Sequence, residues 1–211
     1  MSKIEEIAAA VENGKTKIIA GLVEEAIAEG CDTKEILNLG MIEAMNAVGA
    51  KFQSGEIFVP EMLVAAKAMK NGVEVLKPQL AAVGNVSLGK VVIGTVAGDL
   101  HDIGKNLVAM MIESAGFEVL DLGVDVLTDK FIEAAEADKE VKIIAVSALL
   151  TTTMAAMKDT VTALNSSGKR SRFKVLVGGA PITQEFADSI GADSYAPDAG
   201  AAAVAAKALA S

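Results

Sequence analysis

One histidine, His101, occurs in the 211 residues of this chain, inside Gly98-Asp99-Leu100-His101-Asp102-Ile103-Gly104. A neutral imidazole is the commonest protein metal ligand. Such a ligand usually gives its other ring N–H to a carboxylate or a carbonyl, which fixes the tautomer and raises basicity. Asp99, two residues before His101, is placed to be that carboxylate. A hydroxyl from a neighbouring loop could hold Asp99 in turn. There is no second histidine, and the one cysteine, Cys31, lies in a different part of the chain, so a zinc site made from several protein N and S ligands is not available. If His101 binds a metal, the other ligands must arrive with a cofactor. A macrocycle with four equatorial nitrogens meets that need. Haem meets it too, but leaves glycines in three loops unexplained. No Gly-x-Ser-x-Gly elbow is present, which argues against a serine hydrolase. No Gly-x-Gly-x-x-Gly or Walker loop is present either, which argues against a nucleotide cofactor.

The elements around this loop support a site. An apolar, β-rich run, Val91-Val92-Ile93-Gly94-Thr95-Val96, precedes it, and Ile103, Leu107, Met110 and Met111 follow at helical spacing. Strand, glycine-flanked turn and helix is how a parallel sheet presents chemistry at the carboxyl end of a strand. From Lys90 the pattern alternates. Strands are expected at 91–96, 118–121, 143–147, 174–177 and 194–196, and helices at 103–115, 128–137, 153–165, 183–190 and 199–210. Alternating β and α units give a parallel sheet covered on both faces, and five strands suggest the flavodoxin-like order 2-1-3-4-5. That order places the loops beginning at Gly98, Ser147 and Gly178 along one end of the sheet.

Residues before this read as helices only. Ile4, Ile7, Ala8 and Val11 form a stripe that stops at Asn13-Gly14. A second helix is expected from about Thr16 to Gly30. Asp32 and Glu35 have capping-box spacing for a third, with a stripe of Leu37, Met41, Ala44/Met45, Val48 and Phe52. Pro60 suits the first turn of a fourth, which carries Met62, Ala66, Met69, Val73 and Leu76 and is expected to stop at Pro78. The expectation is an antiparallel four-helix bundle over 1–88, a linker at 78–89 able to let the bundle swing, and a Rossmann-like α/β domain over 89–211.

Composition excludes several function classes. The formal charge is −9 and no Lys/Arg cluster stands out, against nucleic acid or anionic membrane as partners. One cysteine excludes an intramolecular disulfide. The run Met1-Ser2-Lys3-Ile4-Glu5-Glu6 has no apolar signal-peptide core, and no apolar stretch is long enough to span a membrane, so a cytoplasmic chain is expected.

Asp99-x-His101-x-x-Gly104, then Ser147-x-Leu149, then Gly178-Gly179, resembles the signature of base-off, His-on cobalamin proteins. These include methionine synthase and the corrinoid proteins of methylotrophic and acetogenic methyltransferase systems. The resemblance reaches the helical part, where Met45-x-x-Val48-Gly49-x-x-Phe52-x-x-Gly55-Glu56-x-Phe58-Val59-Pro60-Glu61 looks like the family's cap segment. Thr151-Thr152-Thr153-Met154 and Val177-Gly178-Gly179-Ala180-Pro181 look closest to the methylamine branch.

The resemblance implies a role for each matched residue. His101 would be the lower axial cobalt ligand, displacing the cofactor's benzimidazole. Asp99 would accept its N–H, and Thr153 would complete an Asp-His-hydroxyl relay. Gly98, Asp102 and Ile103 would belong to the same cofactor-binding loop. Ser147 and Thr151 would contact the buried benzimidazole, with Leu149 packed beside it. Gly104, Gly178 and Gly179 would leave room for the nucleotide tail. Phe52 and Val59 would cover the upper corrin face, although Phe52 reads equally well as core packing.

The implied function is a methyl carrier. A substrate-specific methyltransferase would deliver a methyl group to Co(I), and a second methyltransferase would pass it to a thiol or folate. A corrinoid reductive activator would restore the reduced cobalt. The chain would need these enzymes for its chemistry. The alternatives are a cobalamin-dependent sensor, an adenosylcobalamin mutase subunit, and a flavodoxin- or receiver-like module without cobalt. The sensor would normally carry an effector segment, for which this acidic chain has no room. The mutase usually takes its upper cap from a barrel.

Overall fold

A computed structural model describes residues 2–83 and 87–211. The chain forms two compact units, Met1–Ser87 with Ser114–Gly116, and Leu88–Glu113 with Phe117–Ser211.

The first unit is helical. Helix α1 (Lys3–Glu12) opens with a capping box: Ser2 Oγ accepts from the Glu5 N–H, and the Glu5 carboxylate accepts from the Ser2 N–H. Helix α2 (Ile19–Ala28) begins later than the expected Thr16, with no side-chain cap at Ile18. Asp32 caps the next helix by accepting from Lys34 and Glu35 N–H groups. That helix has three consecutive parts: α3 (Thr33–Glu35), a π-helical segment (Ile36–Ile42) and α4 (Glu43–Gln53). The π segment has no counterpart in the sequence expectation. The stripe of Leu37, Met41, Ala44, Met45 and Val48 is buried throughout, whereas Phe52 is only half-buried.

Helix α5 (Val59–Val83) corrects one expectation. Pro78 does not stop it, so residues 78–83 of the expected linker are helical, while 84–86 lie outside the described residues. An interior proline costs about 3 kcal/mol through a missing N–H and a clash one turn back. The completely buried Leu76 anchors the preceding turn, and the residues after Pro78 are Gln79, Leu80, Ala81 and Ala82, all good helix formers.

The second unit is a five-stranded parallel sheet in the order β2-β1-β3-β4-β5. The strands are β1 (Lys90–Thr95), β2 (Glu118–Asp121), β3 (Val141–Ser147), β4 (Lys174–Gly178) and β5 (Ser194–Ala196), within a residue or two of the sequence expectation. Helices α6 (Ile103–Ser114), α7 (Thr128–Ala137), α8 (Met154–Ser166), α9 (Gln184–Ile190) and α10 (Ala199–Ala210) follow the strands in turn.

Burial on both faces explains why β1 and β3 read as nearly continuous apolar runs. Val92, Val96, Ile144, Val146, Val175 and Val177 alternate along their strands and join Phe131, Met157, Val161 and Leu164 in one core layer. Helix α10 packs on β3 and β4 through small residues, among them the buried Ala199, Ala202, Ala203 and Ala206. Among the described residues no helix is long and apolar enough to cross a membrane.

Candidate functional site

Register determines what meets at the carboxyl edge. Thr95 at the end of β1 pairs with Ser147 at the end of β3, and Ser147 pairs with Gly178 at the end of β4. The loops that leave these three strands therefore start side by side. The first carries Asp99 and His101. The second runs into a 3₁₀ turn, Thr151–Thr153, that leads into α8.

Asp99 is the centre of this edge. Its side chain is fully buried and accepts from five donors. Oδ1 accepts from the His101 backbone N–H at 3.1 Å and from His101 Nδ1 at 2.7 Å. Oδ2 accepts from the Leu149 N–H at 2.7 Å, the Leu150 N–H at 3.2 Å and the Thr153 hydroxyl at 2.8 Å. Burial acts to raise the carboxyl's affinity for a proton. The bonds from Leu149, His101 and Thr153 outweigh it and hold Asp99 well below the usual carboxylate range.

That charge state sets the histidine tautomer. An ionised carboxylate only accepts, so Nδ1 must carry the proton that reaches Oδ1. In the neutral ring Nε2 is then the free lone pair. The imidazole side chain is 49% exposed, in contrast to the carboxylate beneath it. Thr95 Oγ1 donates to the His101 carbonyl at 2.9 Å, which ties the histidine's backbone to β1. The arrangement orients the ring and leaves Nε2 as the nitrogen with the lone pair.

The other sequence candidates fall in distinct places. Asp102, Ile103 and Gly104 are exposed at the start of α6, and a Cβ on Gly104 would meet nothing within 4 Å. Asp102 Oδ2 accepts from Asn106 Nδ2 at 3.3 Å. Gly98 adopts φ +80°. Ser147 is half-buried, and its carbonyl accepts the Val96 N–H at 3.0 Å. Leu149 and Thr151 are exposed.

Gly178 and Gly179 are required by the protein's own packing. A Cβ on Gly178 would stand 2.8 Å from the Ala196 carbonyl oxygen. One on Gly179, at φ +129°, would stand 1.9 Å from that of Ala148. Phe52 and Val59 are half-buried residues of the helical unit, next to an exposed Phe58.

Three contributors were missed from sequence. Leu150 adds a backbone donor to Asp99. Lys105, almost wholly buried, bonds Asp121 at 2.5 Å and Asn106 at 2.6 Å, pinning α6 to the end of β2. The loop after β2 lies against the His101 loop: Asp125 N–H donates to the Asp99 carbonyl at 3.0 Å, and Asp125 Oδ1 accepts from the Gly98 N–H at 2.7 Å. The strand order contained the signal, because β2 is the outer neighbour of β1.

The donor set fits a macrocyclic metal cofactor. His101 offers a single nitrogen, and no group of three or more His, Cys, Asp or Glu among the described residues could hold a metal ion unaided. Leu100, Ile103, Leu149 and Leu150, neighbours of the site residues in sequence, expose apolar side chains.

The chain belongs to the B12-binding family: residues 89–206 match the B12 binding domain, and residues 3–77 match a second domain of the same description. It is 46% identical to dimethylamine corrinoid protein 3 of Methanosarcina acetivorans over 98% of this chain and 96% of that one. It is 45% identical to trimethylamine corrinoid protein 1 of the same organism, over 94% of each. Among solved structures, it resembles the Methanosarcina barkeri monomethylamine corrinoid protein with 37% identity and a TM-score of 0.56, over 97% of this chain and 96% of that one. It also resembles the methanol:cobalamin methyltransferase complex of that organism with 29% identity and a TM-score of 0.84, over 99% of this chain and 79% of the matched chain.

Proposed function

We propose that this chain is a corrinoid methyl carrier that takes a methyl group from a substrate-specific methyltransferase and gives it to a second methyltransferase with a thiol or folate acceptor. A corrinoid reductive activator is the third partner. The names of the relatives support this reading and favour a methylated amine as the donor. The observation that carries it is the buried Asp99 carboxylate holding His101 Nδ1 at 2.7 Å, which frees Nε2 for a metal.

A bound corrin supplies a cobalt centre that accepts and releases a methyl group. The chain's residues prepare that exchange. His101 Nε2 would hold the cobalt, in place of the cofactor's own base. Asp99 keeps the proton at Nδ1 and makes the ring a stronger donor. Thr153 steadies the carboxylate through its hydroxyl. Ser147 and Thr151 would contact the cofactor's benzimidazole, and Gly104 would leave room for the nucleotide tail. Phe52 and Val59 would help to cover the cofactor.

His101→Ala tests the assignment. Reconstituted with hydroxocobalamin and reduced to cobalt(II), the wild type should show nitrogen splitting from an axial imidazole in its electron paramagnetic resonance spectrum. The variant should still retain corrin through the tail pocket and lose that splitting. With ¹⁵N-labelled histidine the wild-type splitting should be two-line; the three-line ¹⁴N splitting of the cofactor's own base in the labelled wild type would remove the histidine from its assigned place.

A further inference from the structure

We propose that Asp125 is a positioning residue for the ligand loop: it clamps the backbone of Gly98 and Asp99 and so fixes where His101 points. The proposal rests on the reading of His101 as the axial ligand. Two independent features single Asp125 out.

The first is its backbone. Asp125 has φ +53°, the only non-glycine residue with positive φ among the described residues. Side-chain crowding disfavours this region for most residues; aspartate and asparagine tolerate it because their short polar groups bond locally. Glycine would adopt it more easily, so the aspartate side chain must supply something that glycine cannot.

The second is what the strained residue touches. Its carboxylate Oδ1 accepts from the Gly98 N–H at 2.7 Å, and its N–H donates to the Asp99 carbonyl at 3.0 Å. The clamp thus closes on both sides of the peptide that joins Gly98 to Asp99. The loop behind it is fixed to β1 by further bonds, from Leu122 N–H to the Ile93 carbonyl, Thr95 N–H to the Gly123 carbonyl and Val126 N–H to the Thr95 carbonyl. A bridge between Val96 and Val126 continues the pairing past the strand ends.

These contacts divide the work at Asp99. The loop after β3 holds its side chain, through Leu149, Leu150 and Thr153. The loop after β2 holds its backbone, through Asp125. The Asp99 N–H is satisfied by the Val96 carbonyl at 3.1 Å, so every polar group of the residue has a partner. Position of the backbone and direction of the carboxylate both determine where the His101 ring lies. Asp125 controls the former without touching the ring.

Asp125→Gly and Asp125→Asn test this together. Glycine keeps the backbone conformation and the N–H donor but removes the acceptor for Gly98. Asparagine keeps the acceptor and tolerates the conformation. In Asp125→Gly with ¹⁵N-labelled histidine, the fraction of hydroxocobalamin-loaded, cobalt(II)-reduced protein with the two-line ¹⁵N splitting should fall about tenfold relative to the form without it, the loss expected of one hydrogen bond to a charged acceptor. Asp125→Asn should restore the splitting to near the wild-type level. In the cofactor-free chain, the ¹⁵N resonances of the single imidazole should show broadening or a mixed tautomer in Asp125→Gly alone.

Labelled wild-type spectra without the two-line splitting would refute the ligand reading of His101, and the clamp's purpose with it. Wild-type splitting that survives unchanged in Asp125→Gly would overturn the clamp alone, as would an Asp125→Asn protein as impaired as the glycine variant. If Asp125→Gly does not fold, hydrogen exchange at the wild-type Gly98 amide decides the matter. Protection supports the clamp, and exchange at the rate of an unstructured chain overturns it.

Discussion

Asp99→Asn exchanges one heavy atom and should reverse the chemistry of His101. The carboxylate receives five hydrogen bonds and gives none. A carboxamide has one oxygen to receive and one NH₂ that must donate. If the amide oxygen faces Leu149, Leu150 and Thr153, the NH₂ faces His101, and one backbone N–H, that of His101, loses its acceptor. If the amide is turned over, the NH₂ confronts the N–H groups of both Leu149 and Leu150, which cannot rotate away, whereas the Thr153 hydroxyl can. One orphaned donor costs about 1–3 kcal/mol, so the first orientation wins by about that amount. In it, His101 Nδ1 must accept from the amide, which moves the ring proton to Nε2 and takes the lone pair away from the metal side.

The expected loss of folding stability is about 2–4 kcal/mol, from one orphaned donor plus the weakening of charge-assisted bonds to neutral ones. The assay is ¹⁵N–¹H correlation of the imidazole in the cofactor-free protein, which is unambiguous because the chain has one histidine. Wild type should show protonated Nδ1 and unprotonated Nε2, and Asp99→Asn the reverse. A variant that keeps the wild-type tautomer, together with undiminished axial nitrogen splitting when loaded, would refute the argument.

Further expectations follow from the same geometry. Thr153→Val removes one donor to Asp99 Oδ2 and should cost about 1 kcal/mol in chemical denaturation, with Thr153→Ser close to wild type. Gly179→Ala should destabilise the cofactor-free fold by more than about 3 kcal/mol, because clash with the Ala148 carbonyl adds to an unfavourable φ. Gly104→Ala should leave cofactor-free stability equal or up to about 1 kcal/mol higher, since a Cβ there meets nothing within 4 Å, while weakening corrin retention in gel filtration if the proposed site is right. Asp99 is held below the ordinary carboxylate range, so it adds stability that is fully present above about pH 4 and declines as pH falls through its folded-state value. Unfolding free energy should therefore fall on acidification in the wild type, with a shallower slope in Asp99→Asn; equal slopes would count against the assignment.

The sequence by itself determined the local elements and, through them, the sheet. Apolar β-branched runs at 91–96 and 143–147 alternate with helical stripes, and right-handed crossovers leave few ways to arrange five such units. The strand-turn-helix around His101 was legible for the same reason, since its cues lie within a dozen residues. Contacts across long sequence separations were not. Leu149, Leu150 and Thr153 are 50, 51 and 54 residues from Asp99, and only the parallel register of β1 with β3 brings their donors to one carboxylate. The grip of Asp125 on Gly98, 27 residues away, depends likewise on β2 lying beside β1. Gly178 and Gly179 were expected to leave room for a guest, and the neighbouring carbonyls of Ala196 and Ala148 give each a packing reason that only the fold supplies. Helix α5 continues through Pro78, where a local breaker read from sequence is expected to stop it. Residue type fixed which groups could act, and packing decided which His101 nitrogen carries the proton and which keeps its lone pair.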